Sequence, residues 1–279
     1  MRPRLVIHIG MHKTGSSSIQ HYLSRNRRLL RLLGVLYPDS IGADGRRQPK
    51  HAALFDAISH EADHGRPHPA YGPSAALVET LARRIETSGA RVAVLSAEGF
   101  SGPKPDFARA LAPLAARFDA RVVVFLRRPD LWAESFHRQM VMSRQVREAR
   151  PLRTFLASPE MQAHLDWPRI IGWWREAFGA GAVRILAFAP GAGGPAPARA
   201  FAAAASLPRP CLLLPHLGAH RNKAPDEARL LAALRKNASA AGAREAAPDS
   251  ALLPLSEEER SAFLAIHAPG WKLFTNAGK

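Results

Sequence analysis

Apolar runs and helical patterns alternate along this chain. Four runs rich in aliphatic and β-branched residues predict buried strands at residues 5–10, 91–96, 121–126 and 182–188. Continuous apolar runs are typical of strands that are covered on both faces of a parallel sheet. Helical periodicity predicts helices at 16–33, 74–89, 105–118, 130–145, 168–178, 225–240 and 256–266. The alternation predicts an α/β fold, a central parallel sheet flanked by helices, in a single domain over residues 1–279.

Polar residues mark the predicted starts of three helices. Ser74 and Asp106 stand where an N-cap would accept backbone N–H groups, and Ser256 with Glu259 matches a capping box. Two segments interrupt the alternation. Residues 38–73, which hold four histidines, predict a substrate-side excursion, and residues 189–208 predict a loop followed by an Ala-rich helix.

The charge of the chain indicates an anionic partner. It has 39 Lys and Arg against 23 Asp and Glu, a formal net charge of +16 with neutral histidines. Phosphate, sulfate, nucleic acid and acidic glycans all fit this excess. An aromatic content of 7% and the absence of any nucleic-acid module motif argue against nucleic acid. A small nucleotide and an anionic or glycan acceptor are therefore the expected partners.

The single cysteine and the lengths of the apolar runs bear on location. Cys211 has no second cysteine with which to form an internal disulfide, which favours a reducing, cytoplasmic setting. No apolar run approaches the roughly 18 to 20 residues that would cross a membrane. We therefore expect a cytoplasmic protein without a membrane span.

The most informative segment is residues 8–18, HIGMHKTGSSS. A strand that ends in a glycine-containing loop and then opens a helix directs backbone N–H groups, hydroxyls and an ammonium at one anion. The glycine and lysine order differs from the G-x-x-x-x-G-K-[ST] phosphate loop of nucleotide triphosphatases. A well-capped helix with a surface lysine is the alternative interpretation. The candidate anion-binding residues are His12, Lys13, Thr14, Gly15, Ser16, Ser17 and Ser18.

A second basic segment, residues 121–139, contains the third predicted strand and the start of the helix predicted after it. Arg127 ends the strand, Pro129 follows, and Ser135 comes eight residues after the arginine in the next predicted helix. An arginine at a strand end and a serine two turns into the following helix can bind one phosphate together. Two solvated arginines at a strand end, Arg127 and Arg128, are the plainer alternative.

These two segments, in this order, resemble the sulfotransferases that use 3′-phosphoadenosine-5′-phosphosulfate (PAPS), in particular bacterial sulfotransferase-family proteins. The resemblance implies a P-loop nucleotide-kinase-like fold and metal-independent transfer of a sulfuryl group to a hydroxyl or amine, with 3′-phosphoadenosine-5′-phosphate (PAP) as product. It implies that Lys13 stabilises the leaving phosphate and that Arg127 and Ser135 bind the 3′-phosphate. A weaker similarity to a late basic loop adds Arg221 and Asn222, with Lys223, as cofactor candidates.

Two residues are candidates for the general base that such a transfer needs. Glu98 follows the second strand, at the sheet edge where α/β folds bind ligands. The alternative for Glu98 is a solvated glutamate or an arginine partner. His51 begins a short helical pattern in the excursion and titrates in a useful range, or it has an ordinary surface or capping role. We prefer Glu98 on its position.

Three other functions compete with this interpretation. Residues 60–64, HEADH, match the H-E-x-x-H zinc signature, but Gly65 and Pro67 would end the helix at once, so we expect no metal site. A P-loop kinase or nucleotide triphosphatase remains the alternative enzyme, distinguished by its need for Mg²⁺. A non-catalytic binder of acidic polysaccharide or nucleic acid is the alternative from another class.

Overall fold

The computed structural model describes residues 2–188, 196–215, 226–242, 252 and 254–275. Contacts between Cα atoms divide the chain into two compact units. The first unit comprises Met1–Leu126 and Pro168–Arg221, and the second comprises Arg127–Trp167 and Asn222–Lys279. The sequence predicts one domain over 1–279, and the contacts divide the same residues into these two units.

The described strands and helices follow the alternation of the sequence. The strands are β1 Arg4–His8, β2 Val35–Leu36, β3 Ser40–Ile41, β4 Arg47–Gln48, β5 Val92–Ser96, β6 Asp119–Arg127 and β7 Val183–Phe188. The helices are α1 Ser16–Arg25, α2 Arg27–Leu32, α3 Ala52–His64, α4 Ser74–Thr87, α5 Asp106–Leu111, α6 Leu114–Arg117, α7 Pro129–Met142, α8 Leu152–Leu156, α9 Pro159–Leu165, α10 Trp167–Phe178, α11 Pro197–Ala204, α12 Glu227–Ala240 and α13 Glu257–Thr275. Three short 3₁₀ helices are Glu98–Ser101, Ala180–Ala182 and Arg209–Leu213.

A five-stranded sheet in the order β2-β5-β1-β6-β7 forms the centre of the first unit. Strand β1 pairs in parallel with β5 and with β6, and β2 pairs in parallel with β5. The register sets His8 opposite Ser96 on one side and Val123 on the other. The predicted α/β fold with a central parallel sheet flanked by helices is confirmed, and the four predicted strands are β1, β5, β6 and β7.

The core of the first unit explains why the apolar runs are continuous. Val6 of β1, Val94 of β5 and Val123 of β6 are fully buried in a cluster that also contains Ile19 of α1 and Phe201 of α11. The residues on either side of these valines point to the opposite face of the sheet and are buried as well. Burial contributes roughly 25 cal/mol for each Å² of apolar surface removed from water, so packing on both faces stabilises the sheet. The edge strand β2 has two residues, which is too short for a periodicity signal.

Two predicted helices are each divided in the structure. The helix predicted at 16–33 is interrupted at Asn26, whose side-chain Nδ2 donates to the carbonyl oxygens of Tyr22 (2.9 Å) and Pro215 (2.7 Å). An asparagine that bonds backbone carbonyls in this way competes with the helical pattern. The helix predicted at 105–118 becomes α5 and α6, with Pro113 as the N-cap of α6. Proline has no N–H to continue a helix, which explains the second break.

The predicted caps have mixed outcomes. Ser74 and Asp106 are not N-caps, because they are the first helical residues and follow the N-caps Pro73 and Pro105. The capping box of α13 is confirmed: the Ser256 N–H donates to Glu259 Oε2 at 2.8 Å, and the Glu259 N–H donates to Ser256 Oγ at 3.2 Å.

The two interrupting segments contain regular structure. Residues 38–73 hold the antiparallel pair β3 and β4 and the helix α3. In the segment 189–208, residues 189–195 lie outside the described part, and the predicted Ala-rich helix is α11. No helix in the described ranges has both the length and the apolar character needed to cross a membrane.

The second unit is built around α7. Helices α8, α12 and α13 contact it. Trp132 of α7 is buried and stacks on Phe136, with 4.9 Å between ring centroids, and Trp167 meets Trp132 edge-on at 6.0 Å. Aromatic pairs of this kind contribute roughly 0.5 to 1.5 kcal/mol beyond their buried area. They hold the helix that carries Ser135.

Candidate active site

The loop between β1 and α1 has a backbone that requires two glycines. Gly10 and Gly15 have φ of +38° and +83°, and Lys13 between them has φ of +62°. A Cβ atom on Gly10 would lie 2.8 Å from Ser16 Oγ, and one on Gly15 would lie 2.5 Å from Pro197 Cγ. The sequence HIGMHKTG therefore folds into a tight loop that opens directly into α1.

The hydroxyls of the loop have different roles. Thr14 Oγ1 and Ser16 Oγ both donate to the carbonyl oxygen of Met11, at 2.6 and 3.2 Å, and both side chains are buried. These two hydroxyls therefore hold the loop in shape. Ser18 is buried in the first turn of α1, whereas Ser17 is exposed. The first N–H groups of a helix have no acceptor within it, so this end of α1 favours an anion.

Glu98 lies against this loop. It begins the 3₁₀ helix that follows β5, and its carboxylate Oε1 is 3.3 Å from His12 Nδ1. Ser101 Oγ donates to the carbonyl oxygen of Gly10 at 2.8 Å and ties this turn to the loop. The structure thus brings Glu98, His12 and the Lys13 loop together at the carboxyl edge of the sheet. Sequence reasoning named all three residues but missed the pairing of His12 with Glu98.

The surroundings of Glu98 favour its ionised form. Burial raises the pKa of this carboxyl, but the hydrogen bond and charge of His12, with the charge of Lys50, lower it further than burial raises it. The net result is a pKa below the ordinary value of 4.5. Glu98 is therefore a carboxylate at neutral pH and is available as a proton acceptor.

His51 and His8 are buried on either side of Ser96. The Ser96 N–H donates to His51 Nδ1 at 3.1 Å, and Ser96 Oγ lies 2.8 Å from His8 Nδ1. Gln20 Nε2 donates to the same serine oxygen at 3.2 Å. Among the described residues, the Nε2 atoms of both rings are buried without a hydrogen-bond partner. This network was not predicted, because its members are distant in sequence.

Burial keeps both rings neutral. It lowers the pKa of His8 and of His51 from 6.5 to about 4; the charge of Glu98 opposes the shift for His8, and a hydrogen bond to the Ser96 backbone opposes it for His51. His51, the second base candidate, has its Nδ1 within hydrogen-bond distance of the Ser96 backbone, 3.1 Å from the nitrogen and 3.3 Å from the carbonyl oxygen. Its position therefore favours a structural role over proton transfer.

The low pKa values of His8 and His51 predict that the protein loses stability in mild acid. Between pH 6.5 and 4 the unfolded chain binds protons at these rings and the folded chain does not, so the free energy of unfolding falls as pH is lowered. Each ring contributes on the order of 2 kcal/mol to this fall by pH 5. Urea denaturation at a series of pH values between 7.5 and 5 measures it.

Two variants test whether His51 contributes to this pH dependence of stability. His51→Gln is expected to flatten the curve of unfolding free energy against pH, whatever its effect on stability at pH 7.5. His64→Gln removes an exposed histidine and should leave the slope unchanged. Identical slopes in His51→Gln and the wild type would show that His51 is not the group responsible.

Arg127 and Arg128, two consecutive residues of the second unit, differ in their hydrogen bonds. Arg128 donates through Nε and Nη2 to the two carboxylate oxygens of the fully buried Asp130, both at 2.7 Å. Arg127 ends β6, and within the described chain its buried Nε has no hydrogen-bond partner. Burial lowers the pKa of Arg127, and the charges of Asp130 and Glu134 oppose the shift. Of the two arginines, Arg127 is therefore the one whose Nε could donate a hydrogen bond to an incoming anion.

Ser135 and Arg260 complete this part of the second unit. Ser135 is half-buried on α7, two turns after Arg127 as predicted. Arg260 of α13 pairs with Asp130 and also donates to Glu134 Oε1 at 2.9 Å. A carboxylate held by two arginines stays charged, and here the lower pKa of Asp130 comes from these bonds acting against burial. No local sequence signal connects Arg260 to Asp130.

The remaining candidates from the sequence are the late basic loop and the HEADH segment. Arg221, Asn222 and Lys223 lie outside the described residues. In the HEADH segment, the carboxylate of Glu61 accepts the Ser74 N–H at 2.7 Å and the Ser74 hydroxyl. The rings of His60 and His64 stack on each other with 4.2 Å between centroids. Glu61 therefore caps the start of α4.

A solved structure is similar in fold to this chain. No family model and no curated protein matches this chain. The crystal structure of a sulfotransferase from Alicyclobacillus acidocaldarius matches over 88% of this chain and 97% of that chain, with 19% sequence identity and a TM-score of 0.49.

Proposed function

We propose that this chain is a sulfotransferase that moves a sulfuryl group from PAPS to a hydroxyl or amine acceptor. The observation that carries the proposal is the tight Gly10–Gly15 loop at the start of α1, with Lys13 in it and the Glu98 carboxylate against it. The loop supplies a cation and a helix N-terminus, and Glu98 supplies a base. Sulfuryl transfer needs these components and has no requirement for a metal.

The donor's charged groups fit the residues present. A 5′-phosphate suits the loop, where Lys13 supplies a cation and Ser17 is exposed at the first turn of α1. A 3′-phosphate suits Arg127, whose buried Nε lacks a partner in the described chain, together with Ser135. When bound, PAPS would supply an activated sulfuryl group on a good leaving phosphate.

The residues of the chain then have distinct tasks. Lys13 stabilises the negative charge that develops on the phosphate oxygen as its bond to sulfur breaks. Glu98 accepts the proton of the acceptor hydroxyl or amine as the new bond to sulfur forms. His12 holds the Glu98 carboxylate and keeps its pKa low. The proton lost by the acceptor thus ends on Glu98, and the electron pair of the broken bond ends on the phosphate.

Calorimetric titration with PAP, ADP and ATP tests the proposal. The expected result is PAP binding that is equally tight in EDTA and in Mg²⁺ and is much weaker for ADP, which lacks the 3′-phosphate. Preference for ATP with Mg²⁺ would contradict the proposal and support a P-loop kinase or nucleotide triphosphatase. Absence of binding for all three nucleotides would support a non-catalytic binder of anions.

Replacing Arg127 with glutamine is expected to weaken PAP binding by about 10- to 100-fold, the loss of one or two charge-assisted hydrogen bonds. ADP binding should stay within about twofold of the wild type, because only PAP carries the 3′-phosphate. Arg128→Gln is the matched control, since Arg128 already donates to Asp130. Equal losses in the two variants, or an equal loss of PAP and ADP binding, would exclude Arg127 as the 3′-phosphate ligand.

A further inference from the structure

A basic groove of about 400 Å³ lies in the first unit, beside the first helix. Its lining is polar apart from one proline. The lining residues are His21, Ser24, Arg25, Arg27, Arg47 and Pro49. Three of these six residues are arginines, so the groove is suited to an anion.

The charges around this groove are not balanced within the described chain. The carboxylate of Asp39 faces two arginines of the groove, Arg27 (Nε at 3.3 Å) and Arg47 (Nε at 3.2 Å), and also Arg84 (Nη2 at 3.2 Å), which is not part of the groove lining. Arg25 is exposed and makes no ion pair with any described residue. One carboxylate cannot neutralise three guanidinium groups, so a second anion would stabilise the cluster.

Of the three arginines that line the groove, Arg27 is half-buried and the other two are exposed. Arg27 donates to the carbonyl oxygens of Tyr37 (3.3 Å) and Gln48 (3.2 Å) and to Ser24 Oγ (3.2 Å). Its guanidinium also stacks over the Tyr37 ring at 4.9 Å. These bonds fix the floor of the groove before a ligand arrives, which lowers the entropy cost of binding.

The groove lies on the face of α1 that also borders the loop between β1 and α1. Ser17, His21 and Ser24 follow one another at helical spacing, so one face of α1 runs from the loop to the groove. At 1.5 Å for each residue, Ser24 lies about 10 Å along the helix from Ser17. On the other side, Pro49 of the groove precedes Lys50, whose charge acts on Glu98.

We infer that this groove binds a sulfate or carboxylate group of the acceptor, and that the acceptor is an acidic oligosaccharide. The inference rests on the proposed function, since it names the substrate class of the same site. An anion in the groove near Ser24 would lie about 10 Å along α1 from Ser17 at the loop, where the sulfuryl group would be transferred. A small phenol or alcohol does not extend over this distance, whereas an oligosaccharide with several anionic groups does. The groove lining has no Phe, Tyr or Trp on which bases could stack, which disfavours single-stranded nucleic acid.

Calorimetry of the full chain with a heparin tetrasaccharide tests this inference. The variant Arg25→Gln/Arg47→Gln removes two exposed arginines of the groove and keeps Arg27. We expect it to bind the tetrasaccharide about tenfold or more weakly than the wild type does. Arg109→Gln/Arg184→Gln removes the same charge at two exposed positions outside the groove and should change the affinity by less than about twofold.

Further probes separate the outcomes. Maltotetraose, a neutral oligosaccharide, should not bind, and PAP should bind equally to both double variants because neither touches the loop or Arg127. Equal losses in the two double variants would overturn the inference, as would tighter binding of an oligothymidylate than of the tetrasaccharide. Groove-dependent binding of the tetrasaccharide without PAP binding would contradict the proposed function and, with it, the assignment of the groove to an acceptor.

Discussion

Exchange of Lys13 for methionine is expected to lower kcat for sulfuryl transfer by about 10² to 10³-fold, the usual effect of removing one donor that stabilises charge in the transition state. The reason is the position of Lys13 in the loop between Gly10 and Gly15, where the leaving phosphate would lie. Methionine keeps the length of the side chain and removes the ammonium. It also has the same backbone cost as lysine at a φ of +62°, so the loop should not change shape.

Single-turnover transfer with saturating PAPS measures this loss, and calorimetry measures PAP binding beside it. Lys104→Met is the matched control, because Lys104 pairs with the carboxylate of Asp63 and lies outside the loop. A Lys13→Met enzyme with the turnover of the wild type would remove Lys13 from the mechanism. A loss confined to PAP affinity, with kcat unchanged, would make Lys13 a ligand of the bound nucleotide only.

The fold and the loop were predictable because their signals are local. The continuous apolar runs around Val6, Val94 and Val123 are a direct consequence of burial on both faces of the sheet. The glycines of HIGMHKTG indicated a tight loop, and the structure gives both of them positive φ. Glu98 was expected at the sheet edge because it follows a strand, and it lies there against the loop.

The partners of the site residues were not predictable, because contacts between distant segments leave no local pattern. Nothing in the sequence indicates that His12 would pair with Glu98, or that Asp130 would be held by Arg260, 130 residues later. The interruption of the first helix at Asn26 depends on the carbonyl of Pro215. In each case tertiary structure supplies the partner that decides the outcome.

Exchange of Glu98 for glutamine is expected to lower kcat by about 10² to 10⁴-fold, the usual contribution of a general base, with PAP affinity nearly unchanged. Glutamine has the same shape but cannot accept the acceptor's proton. The pH dependence of kcat follows from the pKa of this carboxyl. Because that pKa lies below its ordinary value of 4.5, the midpoint of any fall in wild-type kcat caused by protonation of Glu98 should lie below pH 4.5.

A second variant is expected to shift the fall of kcat at low pH in a known direction. His12 lowers the pKa of Glu98 through a hydrogen bond and its charge, so His12→Gln should raise that pKa and shift the fall in kcat to higher pH. A purely structural role for Glu98 would not produce such a shift, since damage to the loop lowers kcat at every pH alike. If Glu98→Gln turned over like the wild type, another group would have to be the base. The same would follow if His12→Gln left the pH at which kcat falls unchanged.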